Sequence, residues 1–345
     1  MRLVVLGLLM IAWLRGVAVA EPVATPTPTH DQNVATRSPW IDHSPTPILA
    51  EPAPNDDSHK DYRLQSGLAV AGIYAGFSVW AYIAWYRNHP EDKMHVGGDG
   101  WLGVKTYAGG ADKLGHAWAT MVLARGGTAA LRAGGWNRTR SALVSALLSD
   151  ALFFAVEMKD YYYYEFSPGD FTFDTIGALA AIAFDLSPRL DELLDFRVEW
   201  WPSAQYRYNL VDPSSPCEKR TPGQPTCSRW NVAEDYSGER YLIALHLGAI
   251  KPIRDFTKWS KYIDVDVGFA SRNYKPPPTL DPNALKTQTL SFGVTLNAQG
   301  VIDALLPHES KLRKAGHGFT EVLTPPLTIG TGIQRATMTA NTGGA

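Results

Sequence analysis

The feature that most constrains this chain is a set of charged residues at helical spacing inside otherwise apolar segments. Its acidic and histidine members form pairs three or four residues apart: Asp112 with His116, Glu157 with Asp160, and Asp170 with Asp174. Residues at these separations share one face of a helix. Burying charged groups costs free energy unless they are paired or ligated. The fold must therefore bring these groups to partners, and the function is to be sought among them.

Three helices are predicted to carry these pairs. They cover about residues 112–132, 139–160 and 167–186, with Thr139 as the expected N-cap of the second and Ser167-Pro168 at the start of the third. Short connections between helices imply antiparallel neighbours. The start of the first helix, the end of the second and the start of the third then lie at one end of a bundle.

This chain direction predicts that the polar pairs converge. We expect Asp112, His116, Glu157 and Asp170 to lie within about 10 Å of one another, which is at most two helix spacings. In the third helix, the face that carries the two aspartates continues through Gly177 and small residues, which permits a close approach by another helix.

Two interpretations of the cluster require no catalysis. In the first, Lys113 pairs with an acid, His116 donates to a carboxylate, and the aspartates cap helix N-termini. In the second, the cluster holds a metal, with His116, Asp112 and Glu157 as candidate ligands. One histidine with several carboxylates suits a hard or borderline divalent ion.

A third interpretation is general acid–base chemistry. Its candidate catalytic residues are His116, Glu157 and Asp170, with a carboxylate orienting the imidazole. The binding candidates beside them are Asp112, Lys113, Asp160 and Asp174. No G-x-S-x-G elbow and no phosphate-binding loop is present in the sequence. Whether the protein is an enzyme stays open at this point.

A fourth helix is predicted to precede the other three. Ser66 to Tyr86 contains 21 residues without a charge, which is long enough to cross a bilayer. A fully buried helix of a compact bundle fits the same composition. Gly72 and Gly76 permit close contact with another helix. We therefore expect a four-helix bundle that sits in or against a membrane.

After Phe196 the sequence pattern changes from helical to alternating. Five segments show strand patterns: 196–201, 205–208, 241–250, 262–270 and 287–296. Helices first and strands later are typical of an α+β fold. The expected architecture is a membrane-associated four-helix bundle followed by a small antiparallel β-sheet.

The N-terminus predicts export. Arg2, the apolar run Leu3–Leu14 and Ala18-Val19-Ala20 have the pattern of a signal peptide that is cleaved before Glu21. The predicted segments are a signal peptide over 1–20, a proline-rich disordered linker over 21–60, a helical bundle over 61–195, a β-rich region over 196–316 and a flexible tail over 317–345.

The two cysteines and the charge balance narrow the class of protein further. Cys217 and Cys227 are expected to form a disulfide, because an exported protein is oxidised. No cysteine lies near the predicted cleavage site, so we expect no lipid anchor. The chain has 34 acidic and 32 basic residues, and it has no basic stripe of the kind that binds nucleic acid.

The polar pattern also resembles a known family. Asp112-Lys113-x-x-His116, Glu157-x-x-Asp160 and Ser167-x-x-Asp170-x-x-x-Asp174-x-x-Gly177 resemble the YfiM-like family of predicted periplasmic (lipo)proteins of unknown function. The resemblance covers about residues 99–190. A more distant resemblance, to VanZ-like membrane proteins, rests on the same start and end of this pattern.

The resemblance implies an envelope protein and brings no established reaction. We therefore expect a non-catalytic binding or structural role, with membrane lipid or envelope components as partners. The alternative is a membrane-associated hydrolase or transferase that acts on a lipid-like or cell-wall substrate, with a divalent metal as its candidate cofactor.

Overall fold

The computed structural model describes residues 61–87, 96–97, 100–211, 232–276, 281, 283–307 and 310–337. The predicted signal peptide, the proline-rich linker and the Cys217–Cys227 disulfide lie outside these residues. Within them, the chain forms a helical part followed by a six-stranded sheet. The predicted α+β class is therefore confirmed.

Four long helices form the helical part. They are α1 (Arg63–Ala81, continued by a π-helical turn over Tyr82–Tyr86), α2 (Ala111–Ala133), α3 (Arg138–Tyr163) and α4 (Pro168–Leu186). All four lie close to their predicted positions. The N-cap of α3 is Asn137, whose side chain accepts hydrogen bonds from the backbone N–H groups of Thr139 and Arg140. The expectation that Thr139 caps this helix is therefore wrong.

Helix α2 is the centre of the helical part. It packs against α3, α4 and the sheet, and residues such as Met121, Ala178 and Phe184 form the apolar core around it. Helix α1 packs along the outside, and only Ser66, Val70 and Ala81 of its 19 residues are buried. The predicted four-helix bundle is thus confirmed in part, as a three-helix core with a more exposed fourth helix.

Among the described residues, two helical segments are long and apolar enough to cross a membrane, by length and composition alone. They are Arg63–Tyr86 and Arg138–Tyr163, and 17% and 44% of their most apolar windows are buried, respectively. The core helix of a folded protein can meet the same criterion, and the second segment is such a helix because it packs between α2 and α4. The first is too exposed to be a core helix.

The sheet contains six strands within the described residues. They are β1 (Leu194–Trp200), β2 (Glu239–His246), β3 (Ile263–Arg272), β4 (Lys286–Leu296), β5 (Leu323–Thr324) and β6 (Ile329–Thr337), in the order β5-β1-β2-β3-β4-β6. Strand β5 runs parallel to β1, and the other neighbours are antiparallel. The sheet is therefore mixed, and the expectation of a purely antiparallel sheet is wrong.

Shorter helices connect these elements. They are α5 (Pro188–Leu193), α6 (Ala204–Val211), α7 (Lys251–Phe256), α8 (Ala298–Leu305) and α9 (Lys311–Thr320). Residues 205–208, predicted as a strand, lie within α6. The residues after His317, predicted as a flexible tail, contain the end of α9, β5 and β6 as far as Thr337. Pairing of β6 with β4 orders this segment.

Candidate polar site at the end of the helices

Three helix ends meet at one polar cluster. His116 lies in the first turns of α2, Glu157 near the end of α3, and Asp170 and Asp174 in the first turns of α4. His116 is within 4.0 Å of a carboxylate oxygen of each of these three acids and of Asp112. The predicted convergence is observed.

A lysine occupies the side of the cluster that faces Nε2 of His116. This nitrogen lies 4.0 Å from Oδ1 of Asp112 and 4.0 Å from Oδ1 of Asp170. Nζ of Lys113 lies 3.3 Å from Asp112 and 2.6 Å from Asp170. The hydroxyl of Tyr236 also donates to Asp112. Two carboxylates on this side therefore share a buried ammonium group.

Among the described residues, no lysine lies on the other side of the imidazole. Nδ1 of His116 lies 3.0 Å from Oδ1 of Asp174 and 3.9 Å from Oε1 of Glu157. The Thr120 hydroxyl donates to the same Asp174 oxygen at 2.9 Å. The backbone N–H of Ser167 donates to Oε2 of Glu157 at 3.1 Å.

Two oxygens on this side are buried and accept no hydrogen bond from any described residue. They are Oε1 of Glu157 and Oδ2 of Asp174. Buried polar atoms in folded proteins almost always have a partner, and an exception calls for an explanation such as an ion. One ring nitrogen of His116 and one carboxylate oxygen from each of these two acids lie within 4.8 Å of one another, close enough to bind one cation.

Burial and charge shift the pKa values in this cluster. Burial raises the pKa of Glu157 to about 9, and His116 opposes this shift only in part. Burial alone would lower the pKa of His116, but Asp174 and then Asp170 raise it well above its usual value. His116 and Lys113 hold the pKa of Asp112 below its usual range, although burial acts the other way. Glu157 and His116 are therefore both protonated at neutral pH when no ion is bound.

The structure separates Asp160 from the other predicted binding residues. Its carboxylate accepts a hydrogen bond of 2.7 Å from the Tyr86 hydroxyl at the end of α1. Burial raises the pKa of Asp160 to about 7. Asp160 thus joins α1 to α3 beside the cluster, whereas Asp112, Lys113 and Asp174 lie within it.

Sequence reasoning missed the contribution of the β-rich region. Tyr236 lies 124 positions from Asp112 in the chain, and no local spacing links them. The tyrosine precedes β2, and its ring packs with Ala111 and Val198 in a second apolar cluster between α2 and the sheet. The polar cluster is therefore enclosed by helices on one side and by the sheet region on the other.

A comparison with known protein families gives a match to part of the chain. Residues 98–185 match the model of a family described as "Predicted periplasmic lipoprotein (DUF2279)", which includes α2, α3 and most of α4 and leaves out α1 and the sheet. No curated protein and no solved structure matches the chain. The resemblance to VanZ-like proteins is not shown.

The family description supports export to the periplasm. It does not bear out the expectation that the protein carries no lipid. All five members of the cluster that face or adjoin His116 lie inside the matched segment: Asp112, Lys113, Glu157, Asp170 and Asp174. The segment that builds the polar site is thus similar to a predicted periplasmic lipoprotein family of unknown function, as the sequence pattern indicated.

Proposed function

We propose that this exported envelope protein binds a divalent cation through His116, Glu157 and Asp174. The observation that carries the proposal is that Glu157 and Asp174, whose carboxylates lie 3.9 and 3.0 Å from Nδ1 of His116, each have one buried oxygen that accepts no hydrogen bond from any described residue. An imidazole nitrogen with two carboxylate oxygens suits zinc or manganese better than calcium, which prefers oxygen ligands alone.

The lysine explains why the cation belongs on this side of the imidazole. Asp112, His116 and Asp170 are also close enough together to share an ion. However, Lys113 already places a positive charge between Asp112 and Asp170. A metal there would be repelled at short range. In the part of the chain that the structure describes, no lysine or arginine lies on the Glu157–Asp174 side.

The charge of the cluster supports an exchange of protons for metal. Four carboxylates with charged Lys113, protonated His116 and protonated Glu157 carry one net negative charge. Removing those two protons and adding a divalent ion leaves the same net charge. Binding therefore replaces protons without adding charge to a buried site, and metal affinity should rise with pH.

Calorimetry with zinc and manganese tests the proposal. The metal-free full-length protein should bind one ion and release about two protons at pH 7, measured from titrations in buffers of different ionisation enthalpy. Glu157→Gln and Asp174→Asn should each weaken binding by tenfold or more, in the range expected when a site loses a directly supporting group.

Asp150→Asn is the matched control. Asp150 lies on α3 like Glu157, but it is partly exposed and bonds to Thr175 outside the cluster. This variant should bind like the parent protein. If Glu157→Gln binds metal as tightly as the parent, or if a folded parent binds none, the proposal is wrong. The structural interpretation then remains, in which protonated His116 alone pairs with the carboxylates.

We further propose that the exposed face of α1 lies against a membrane. The helix has no charge between Ser66 and Tyr86, and Leu68 and Val79 are 63% and 59% exposed. A large exposed apolar face on a folded protein marks a contact with lipid or with another protein. Tyr82, in the turn that continues α1, is 49% exposed, and tyrosine side chains suit the lipid–water boundary.

Vesicle flotation tests this membrane contact. The parent protein should float with phosphatidylcholine vesicles, and the double variant Leu68→Glu/Val79→Glu should stay at the bottom of the gradient. Ile329→Glu places the same charge on an exposed apolar residue of β6 and should float like the parent. A parent protein that stays at the bottom contradicts the proposal.

The alternative function is catalysis at the same cluster. One observation favours it: the His116 side chain is 17% exposed, whereas the acids around it are 9% exposed or less. A partly exposed imidazole next to a bound cation is a combination of groups found in hydrolytic sites. Hydrolysis of a phosphate or acyl ester by the metal-loaded parent, lost in His116→Ala, would favour this alternative over binding alone.

A further inference from the structure

A cavity of about 260 Å³ lies at one end of the sheet, and its lining includes none of the residues of the polar cluster. It is bounded by the end of β1, the start of β2, the end of β3 and helix α6. The arginines that line it are Arg207, Arg240 and Arg272. Cavities for drug-sized ligands span roughly 300–1,000 Å³. This cavity is therefore of a size for a small group.

The three guanidinium groups come from three different elements. Arg207 lies on α6, Arg240 on β2 and Arg272 at the end of β3. Nη1 of Arg272 donates to the backbone carbonyls of Glu239 and Ser271, each at 2.8 Å. These bonds orient the guanidinium, and carbonyl groups do not neutralise its charge. The sheet thus holds one arginine in place at the cavity wall.

Carboxylates offset only part of this positive charge. Oε2 of Glu199 lies 3.3 Å from Arg240, and Oε1 of Glu199 accepts the backbone N–H groups of Leu327 and Thr328 at 2.9 and 2.8 Å. Among the described residues, neither Arg207 nor Arg272 forms an ion pair. The cavity therefore has more guanidinium than carboxylate charge on its lining.

Two further acids near Arg272, Asp235 and Glu239, act to raise its pKa. Asp235 already accepts hydrogen bonds from the Trp200 indole and the Ser203 backbone, at 3.2 and 2.9 Å. Burial raises the pKa of Glu239 to about 8, so this acid is mostly neutral at pH 7. Burial and the neighbouring Arg240 lower the pKa of Arg272, against the opposing effect of the two acids. The positive charges of the arginines at this cavity are therefore only partly neutralised by carboxylates.

We propose that this arginine cavity binds a phosphate group, either free or on a lipid headgroup. Guanidinium groups donate paired hydrogen bonds to phosphate oxygens, and a tetrahedral phosphate accepts them from several directions. The guanidinium groups at this cavity come from α6, β2 and β3 and can therefore donate from different directions. Ser203 and Ser237 add polar groups to the lining. The inference does not depend on cation binding at His116.

Titration calorimetry of the full-length protein with inorganic phosphate tests the site at low salt. The parent should bind one phosphate. Arg272→Gln should weaken binding by about 10- to 100-fold, the loss expected when a hydrogen bond to a charged group is removed. Arg207→Glu should abolish binding, and because Arg207 is exposed on α6 this variant should melt like the parent.

Arg335→Gln on β6 is the matched control, since it removes an exposed arginine outside the cavity. It should bind phosphate like the parent. A second measurement compares phosphatidylglycerol with phosphatidylcholine vesicles. Extra binding to phosphatidylglycerol that is lost in Arg207→Glu assigns the phosphate to a headgroup, and binding of inorganic phosphate alone assigns it to a free anion. A folded parent that shows neither, or an Arg207→Glu variant that binds like the parent, overturns the proposal.

Discussion

Two histidines that lie among carboxylates, His116 and His246, show how neighbouring groups decide the role of a residue. His246 lies between Asp195 and Asp264, at 3.1 and 2.8 Å. Arg197 and Asn297 also contact Asp264, at 2.9 and 2.7 Å. Among the described residues, neither Asp195 nor Asp264 has a buried oxygen without a hydrogen bond. Burial acts to lower the pKa of His246, but Asp195 and Asp264 raise it to about 10. His246 is thus a structural residue of the sheet, whereas His116 faces Glu157 and Asp174, which each have one buried oxygen that accepts no hydrogen bond from any described residue.

The pKa of Glu157 leads to a prediction about stability and pH. Its folded pKa is about 9, against 4.5 in a model peptide, so the folded state favours the protonated acid. The stability from this group is complete below about pH 4.5 and is lost as pH rises toward 9. The raised pKa of His116 adds a loss in the same direction above its unfolded value of 6.5.

We therefore expect the metal-free parent to lose melting temperature between pH 5 and pH 9. Glu157→Gln imitates the protonated acid, so it should melt higher than the parent at pH 8 and no higher at pH 4. Zinc or manganese should raise the melting temperature of the parent at pH 8 more than that of the variant. If, without metal, the melting temperature of the parent rises relative to that of Glu157→Gln as the pH increases, this assignment is wrong.

At the scale of elements, the contact between α2 and α4 depends on a single glycine. A Cβ atom on Gly177 would lie 2.1 Å from the carbonyl oxygen of Ala117, which belongs to the backbone of α2. The helices would have to separate to admit a methyl group. Asp174 lies one turn before Gly177, so a separation here would also move this acid away from His116.

Gly177→Ala should therefore destabilise the protein by about 1–3 kcal/mol, the usual range for overpacking a core. Gly72→Ala is the matched control, because no atom lies within 4 Å of the position of its Cβ. Removing a helical glycine there should be neutral or stabilise by up to about 1 kcal/mol. Chemical denaturation of both variants measures the difference. Equal stability of the two variants would mean that α2 and α4 are not in close contact.

Short or weakly patterned elements were the least predictable from the sequence. Residues 205–208 alternate apolar and polar side chains, and four residues are too few to separate a strand from the helical turn of α6. Strand β6 is rich in glycine and threonine, and its Ile329 and Ile333 remain exposed. Its order comes from backbone pairing with β4, which is a contact between distant parts of the chain. The four long helices were predictable because each has clear start or stop signals.

At the scale of the whole molecule, Arg125 joins the helical part to the β-rich part. This buried residue of α2 lies 3.4 Å from Asp185 at the end of α4, 2.5 Å from Asp191 in α5 and 2.5 Å from Glu321 beside β5. The indole of Trp118 also donates to the Val322 carbonyl at 2.9 Å. The two parts therefore share a polar connection as well as an apolar core.

Arg125→Met should destabilise both parts together. It removes the cation that three carboxylates face, and breaking a buried ion pair costs about 3–5 kcal/mol. We expect one unfolding transition, shifted to lower denaturant in circular dichroism and in tryptophan fluorescence alike. Arg140→Met, at an exposed position on α3, should leave the transition unchanged. A separate early transition of the sheet would show that the parts unfold independently.

Helical spacing and chain direction can be read from the sequence, and they correctly predicted that Asp112, His116, Glu157 and Asp170 lie together at one end of the helices. Which carboxylate oxygens have donors depends on contacts between distant parts of the chain. Lys113 pairs with Asp112 and Asp170, and Tyr236 from the β-rich region donates to Asp112. Glu157 and Asp174 each have one oxygen that accepts no hydrogen bond from any described residue. A hydrogen bond requires a donor and an acceptor about 3 Å apart. The spacing of residues along the sequence does not specify atomic positions to this accuracy, so the tertiary structure determines which bonds form.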